Sequence, residues 1–275
     1  WGAKCNEITP EWGAQRVKGL DITKAIIHSV KKAFSKKQDI RQKKTETSLI
    51  EQFLYPKLGP GQLWESIASE AKSRGAAVFL DSEVKRIEIR DNKVKSITIL
   101  DKADNSEKKI ECDVLISSMP VKNLVSAVDP SVDPEIKRIA DGLKYRDFIT
   151  VGLLLKKLSI KNKTDIKTVN GIIPDNWIYI QERDVKVGRV QIFNNWSPYL
   201  VNDLNNVWIG LEYFTSENDD LSSKSDKEMI ECALNEMERI GFLKREDVID
   251  STILRMEKAY PAYFGTYGEL DKIKD

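Results

Sequence analysis

An α+β fold is predicted by three features of the chain. A glycine-containing turn, Lys57-Leu58-Gly59-Pro60-Gly61, opens an amphipathic helix, and two segments of alternating polarity follow it. A continuous apolar run over 148–155 is too uniformly hydrophobic to face water on either side, which marks a strand buried inside a sheet. Beyond it, strand-like segments succeed one another with a single clear helix among them, the pattern of a mixed, mainly antiparallel sheet with flanking helices.

The elements follow in order. Ile22, Ile26, Val30 and Phe34 recur every four positions, so 21–34 reads as a helix capped by Asp21. It runs into the basic stretch Lys31–Lys44, either a solvated charge run or a peripheral contact for an anionic membrane surface. Residues 62–74 place Leu63, Ile67 and Ala71 on one helical face, and Gly75 ends the helix. Residues 76–80 are expected to form a short buried strand. Residues 84–90 and 94–100 flank Asp91-Asn92-Lys93 and read as a hairpin. A turn over 101–109 precedes a segment, 109–117, expected to return into the core. Residues 120–143 are mostly helical with proline punctuation. Further strands are expected at 177–181, 188–193, 207–214 and 248–257. A helix over 226–240 puts Met229, Ala233, Met237 and Ile240 on one face. The change of pattern near Leu143 divides the chain into a helical cap segment (1–54), a first α/β unit (55–143) and a sheet-rich unit (144–275).

Composition removes several function classes. Lys and Arg number 44 against 43 Asp and Glu, a net charge of +1, so no global electrostatic case exists for nucleic acid. Cys5, Cys112 and Cys232 are too scattered for a disulfide framework or a zinc spacing, and a cytoplasmic location is expected. The single histidine, His28, leaves no Ser-His-Asp triad and no multi-histidine metal site, so no metal is expected; its own place is packing or solvent. Neither GxGxxG nor GxxxxGK[ST] occurs. The turn at Gly59 and Gly61 therefore reads as an ordinary tight turn or as one edge of a site for an anion or electron-rich ring.

Several segments share the order of a known superfamily. Tyr55-Pro56-Lys57 with Gly59-x-Gly61-x-Leu63 resembles the YPxGGxxxL element of flavin amine oxidases, phytoene desaturases and their relatives. Ser82-x-Val84-x-x-Ile87 and the run from Asp113 to Pro120 are similar to two later strands of their flavin domain. Tyr145-Arg146-Asp147-Phe148 and Lys258-Ala259-Tyr260-Pro261-x-Tyr263 resemble substrate-domain segments of a bacterial and archaeal branch. Trp1-Gly2, with Glu11-Trp12 and Arg16, resembles a segment of UDP-galactopyranose mutases.

The resemblance implies FAD as cofactor of the parent protein, with Gly59, Gly61, Val84, Ser117, Ser118 and Pro120 against it. It implies hydride transfer to flavin from a C–N or C–C bond of a small-molecule substrate. It also implies that the N-terminal GxGxxG turn and the C-terminal glycine-rich segment of such a domain lie outside these residues. A middle fragment is thus expected, combining part of an FAD-binding domain with a substrate domain, inactive and poor at retaining FAD alone. Two alternatives stand beside this reading. One is mutase-like, non-redox flavin chemistry on a nucleotide sugar in cell-surface polysaccharide synthesis, with Arg16, Arg146, Tyr260 and Tyr263 as candidates for the diphosphate. The other is a non-catalytic ligand- or lipid-binding module.

Individual residues carry paired readings. Tyr260 and Tyr263 bracket Pro261 and either line a flavin-facing cage or plug a strand end. Asn195 and Trp196 either line a pocket or form a polar turn. Glu212, in a hydrophobic strand, faces a partner, solvent or the substrate. Arg146 either binds a carboxylate or phosphate by its planar fork or pairs with Asp141 or Asp147. Lys57 either orients a water near the flavin, as a lysine does in some relatives, or is a surface lysine beside a turn.

Overall fold

The computed structural model describes residues 53–216 and 219–274. The helix expected over 21–34, the basic stretch Lys31–Lys44, and Arg16, His28 and Cys5 lie outside the described residues.

The glycine turn does what its residues dictate. Gly59 takes φ 86°, a left-handed conformation open to glycine, and the chain enters helix α1 (Pro60–Ser73) at a proline whose missing amide costs nothing there. No residue of α1 is buried, and Leu63, Trp64 and Ile67 all face outward. Strands β1 (Ser82–Arg90) and β2 (Lys93–Asp101) form the expected hairpin. Asp91 and Asn92 both have positive φ, as a two-residue turn between twisted strands requires. β3 (Glu107–Glu111) pairs antiparallel with β2. Helix α2 (Val121–Ala127) leads into β4 (Val128–Asp129), which lies parallel to β1 and closes a four-stranded sheet in the order β3-β2-β1-β4.

Two expectations fail in this half. Residues 76–80 form no strand and are exposed, and the segment after β3 does not return to a core: Val114 and Ile116 are 76% and 93% exposed. Both segments have strand-like composition, but a strand needs a neighbour to pair its amides and carbonyls. No strand among the described residues pairs with either.

Helix α3 (Pro134–Gly142) is capped by Asp133, whose carboxylate accepts from the Glu135 amide at 2.8 Å. It hands the chain to β5 (Leu143–Leu155), which takes a central place in a five-stranded antiparallel sheet ordered β6-β7-β8-β5-β9. That place, flanked by β8 (Val207–Thr215) and β9 (Val248–Gly265), explains why β5 is so continuously apolar. The outer strands are β6 (Trp177–Tyr179) and β7 (Arg189–Ile192), and the short helix α4 (Phe193–Trp196) follows directly. β9 runs eight residues beyond the expected 257. An irregularity at Lys258 (φ 52°), whose amide donates to Asp147 Oδ1 at 2.8 Å, lets pairing resume at Tyr260 and continue to Gly265. A four-residue helix, α6 (Asp271–Lys274), comes last, after helix α5 described next.

Helix α5 (Asp226–Arg239) covers one face of this sheet. Met229, Ala233 and Met237 are fully buried on it against Val151, Leu153, Ile209 and Leu211. Burying each large side chain contributes about 1.5–3 kcal/mol. A capping box starts the helix: the Glu228 amide donates to Ser225 Oγ at 3.3 Å, and the Ser225 amide donates to Glu228 Oε2 at 2.8 Å. Ser225→Ala is therefore expected to lower stability by about 1 kcal/mol in urea denaturation, and an unchanged midpoint would contradict the cap. On the same face Glu236 is buried and accepts from the amides of Lys186 (2.6 Å) and Val187 (3.0 Å) and from the Tyr213 hydroxyl (3.1 Å). Burial, then the Glu236 charge, pushes the Tyr213 pKa well above the usual phenol range.

The opposite face of the sheet carries Trp208, Gly210, Glu212 and Phe214 from β8, by the period of two. A Cβ at Gly210 would lie 2.7 Å from Phe193 Cζ, so the ring rests directly on the backbone. Gly210→Ala is expected to cost about 1–3 kcal/mol through this overlap, measurable as a lowered melting temperature. Among the described residues no helix is long and apolar enough to cross a membrane, and no cluster of His, Cys, Asp or Glu is placed to hold a metal.

Candidate functional site

The outer face of the five-stranded sheet, away from α5, gathers charged and aromatic side chains into one line. Cross-strand register sets Tyr179 opposite Arg189, Arg189 opposite Glu212, Glu212 opposite Thr150, and Thr150 opposite Leu254. Directly opposed residues point to the same side of a sheet, so these side chains form a row across it.

Glu212 is only 2% exposed, although a carboxylate is rarely buried without a partner. Its partners are on β7. Arg189 Nε forms an ion pair with Glu212 Oε2, and Gln191 Nε2 donates to Glu212 Oε1. The Arg189 guanidinium sits 4.4 Å from the centre of the Trp177 ring and 4.7 Å from that of Phe214, with Tyr179 at 5.9 Å. A weakly hydrated, planar cation suits such a ring-lined place. Burial acts to lower the Arg189 pKa, but the Glu212 charge and hydrogen bonds to Tyr260 and Tyr179 outweigh it, and the net direction is upward. The guanidinium therefore stays charged.

Tyr260 closes the aromatic group. Its ring meets Phe148 edge-on at 6.1 Å and lies 6.0 Å from Phe214, and Phe148 in turn lies 5.4 Å from Phe214. Trp177, Tyr179, Leu254, Met256 and Tyr260 remain exposed, so the row is open to a ligand.

The residues singled out in the sequence divide by place. Glu212 and Tyr260 are in this row. Tyr263 is not: its ring packs edge-on against Tyr267 at 4.9 Å, three residues along a strand from Tyr260. Arg146 stands beside the row, 6.0 Å from the Phe214 ring, and donates to the carbonyls of Phe214 (3.0 Å) and Thr215 (3.5 Å) at the end of β8. Burial lowers its pKa, opposed by Asp219. The two expected partners are engaged elsewhere: Asp141 pairs with Lys137 at 3.2 Å, and Asp147 accepts from the Lys258 amide. Asn195 braces a loop, donating to the carbonyls of Ile173 (2.8 Å) and Asp175 (2.9 Å). Trp196 stacks with Tyr55 at 5.4 Å and lies 6.0 Å from Phe53. Lys57 holds its ammonium 4.1 Å from the Tyr199 ring, while its carbonyl accepts from Ser197 Oγ at 2.7 Å. The glycine turn is thereby docked on the segment after α4.

Arg189, Gln191, Trp177 and Tyr179 were not singled out by sequence reasoning. The signal was available for two of them: in β7, Val190 and Ile192 alternate with Arg189 and Gln191, so a polar pair shares one face of a buried strand.

The six residues suggested for the cofactor lie on the first half. Gly59 packs against Leu200, and a Cβ at Gly61 would meet nothing within 4 Å. Val84 is half-buried in β1, opposite Ile99. Ser117 Oγ accepts weakly from the Met119 amide (3.4 Å), Ser118 is exposed, and Pro120 caps α2. Near them in the chain, Leu63, Ile67, Phe79, Val114 and Ile116 are apolar and uncovered. Gly59 is buried and only Gly61 of the turn is open; with the uncovered apolar side chains, Gly61 offers one edge to a flat, largely apolar cofactor. Charged donors for a diphosphate are not among these six.

Comparison with known proteins places this geometry. No curated protein matches the chain. Among solved structures, reduced UDP-galactopyranose mutase is 21% identical with a TM-score of 0.61, covering 80% of this chain and 44% of that one. A protein described as a protoporphyrinogen oxidase from Exiguobacterium sp. 255-15 is 17% identical with a TM-score of 0.57, covering 82% of this chain and 44% of that one. Wild-type putrescine oxidase bound to putrescine is 17% identical with a TM-score of 0.51, covering 76% and 42%. At these identities the likeness is one of fold, and the chain spans less than half the length of each. The model of the family of flavin containing amine oxidoreductases, however, matches residues 17–255, most of the sequence, and the chain belongs to that family.

Proposed function

We propose that the whole protein is a flavin-dependent oxidoreductase that oxidises a C–N or C–C bond of a small molecule by removing hydride from a C–H group of that bond, with the outer face of the five-stranded sheet as the substrate wall. The observation that carries this is the exposed aromatic row around the buried Arg189–Glu212 pair, on a chain of a flavin-containing family. Flavin, when bound, supplies the hydride acceptor; the protein supplies position and a dry surface. Gly59, Gly61, Val84, Ser117, Ser118 and Pro120 would meet it along one wall. Trp177, Phe214 and Tyr260 would hold the substrate by ring contact. From a neutral amine the nitrogen lone pair replaces the departing hydride to give an iminium, whereas at a C–C bond the proton of the adjacent carbon must also leave, to solvent.

The test is anaerobic reduction of the flavin-loaded whole protein by a panel of amines and partly saturated ring compounds. Bleaching of the flavin absorbance by members of either group supports the reading. Failure to take up FAD at all would leave a non-catalytic binding module. Interconversion of a nucleotide sugar by the chemically reduced protein, without net oxidation, would favour mutase chemistry instead.

A further inference from the structure

We infer that the outer sheet face is built for an uncharged, ring-shaped apolar group, and that Glu212 with Gln191 sets this specificity by neutralising Arg189. This deepens the substrate-wall reading above and rests on it. The argument begins with the charges. Arg189 and Glu212 cancel each other across the strand pair, at 13% and 2% side-chain exposure. Gln191 donates to the second carboxylate oxygen, and at 2% exposure the Glu212 carboxylate is out of reach of a ligand's ammonium group. Tyr260 and Tyr179 add to the stabilisation of the guanidinium charge. Arg146, the neighbouring cation, is directed at two backbone carbonyls and has Asp219 as countercharge. What remains open toward a ligand is uncharged surface, the rings of Trp177, Tyr179 and Tyr260 with Leu254 and Met256 beside them.

A charged ligand would therefore lose its hydration without gaining a free countercharge, whereas a neutral ring loses little and gains stacking. Three probes of one shape separate these cases: benzamide, benzoate and benzylamine. Binding is read on the whole protein by tryptophan fluorescence, with Trp177→Phe identifying the signal from the row. Benzamide is expected to bind at least about tenfold more tightly than either charged probe, the scale of one charge-assisted hydrogen bond. Glu212→Gln leaves the guanidinium without its countercharge and is expected to shift the benzoate-to-benzamide preference about tenfold toward benzoate. Adding Arg189→Gln to that variant is expected to restore the neutral preference, which a merely misfolded face would not do.

Benzoate or benzylamine binding the unaltered protein as tightly as benzamide would overturn the inference. So would an unchanged preference in Glu212→Gln. The proposed function fails separately: no flavin reduction by any compound leaves the binding order standing, and turnover confined to charged substrates overturns the specificity alone.

Discussion

Glu236→Ala is expected to lower folding stability by roughly 3 kcal/mol. The carboxylate accepts from two backbone amides and one phenol; the bonds from Val187 and Tyr213 are buried and that from Lys186 is part-buried. Each buried donor left without an acceptor costs about 1–3 kcal/mol, and removing a buried charge offsets part of the total. Glu236→Gln, which keeps one carbonyl oxygen, is expected to lose about half as much. Urea denaturation gives the difference directly. A loss below about 1 kcal/mol for the alanine variant would mean that water replaces the carboxylate, and the loop at Lys186 and Val187 would then not depend on α5.

Arg189→Met is expected to cost still more, about 3–5 kcal/mol, because the 2% exposed Glu212 would be left without its partner in a place from which solvent is excluded. Glu212→Met leaves the complementary charge and is expected to cost a similar amount. The double variant is the informative one. Replacing both members by apolar residues removes the desolvation cost along with the attraction, and such exchanges are often neutral. The two single losses should therefore fail to add by at least about 2 kcal/mol in a double-mutant cycle. Additive losses would show that each residue acts through its packing, Arg189 against Trp177 and Phe214, rather than through the pair.

Much of the fold was legible because local chemistry determines it. The alternation of 84–90 and 94–100 and the Asp91-Asn92-Lys93 turn between them each state their structure within a few residues. Residues 76–80 and the segment through Val114 and Ile116 misled for the opposite reason. Their composition suits strands, but pairing depends on distant chain. The site was legible in the same uneven way. A carboxylate in an apolar strand drew attention to Glu212, and a proline-bracketed tyrosine to Tyr260. The partner Arg189 depends on a register between β7 and β8 that 22 intervening residues conceal.

The β5–β9 pair has a consequence for how this chain tolerates change. β8 joins β5 only from Asp147 onward, yet β5 and β9 stay paired back to Leu143 and Gly265, where Thr266 Oγ1 donates to the Ile139 carbonyl of α3 at 2.7 Å. The β5–β9 pair thus reaches past the rest of its sheet to the end of α3 as a two-stranded ribbon held by main-chain hydrogen bonds. Main-chain bonds do not depend on which side chains hang from them. Surface residues along the ribbon can drift over evolutionary time while the attachment of the five-stranded sheet to α3 is inherited unchanged. A lineage could rewrite the ring-lined face for a new ligand without having to rebuild the scaffold beneath it.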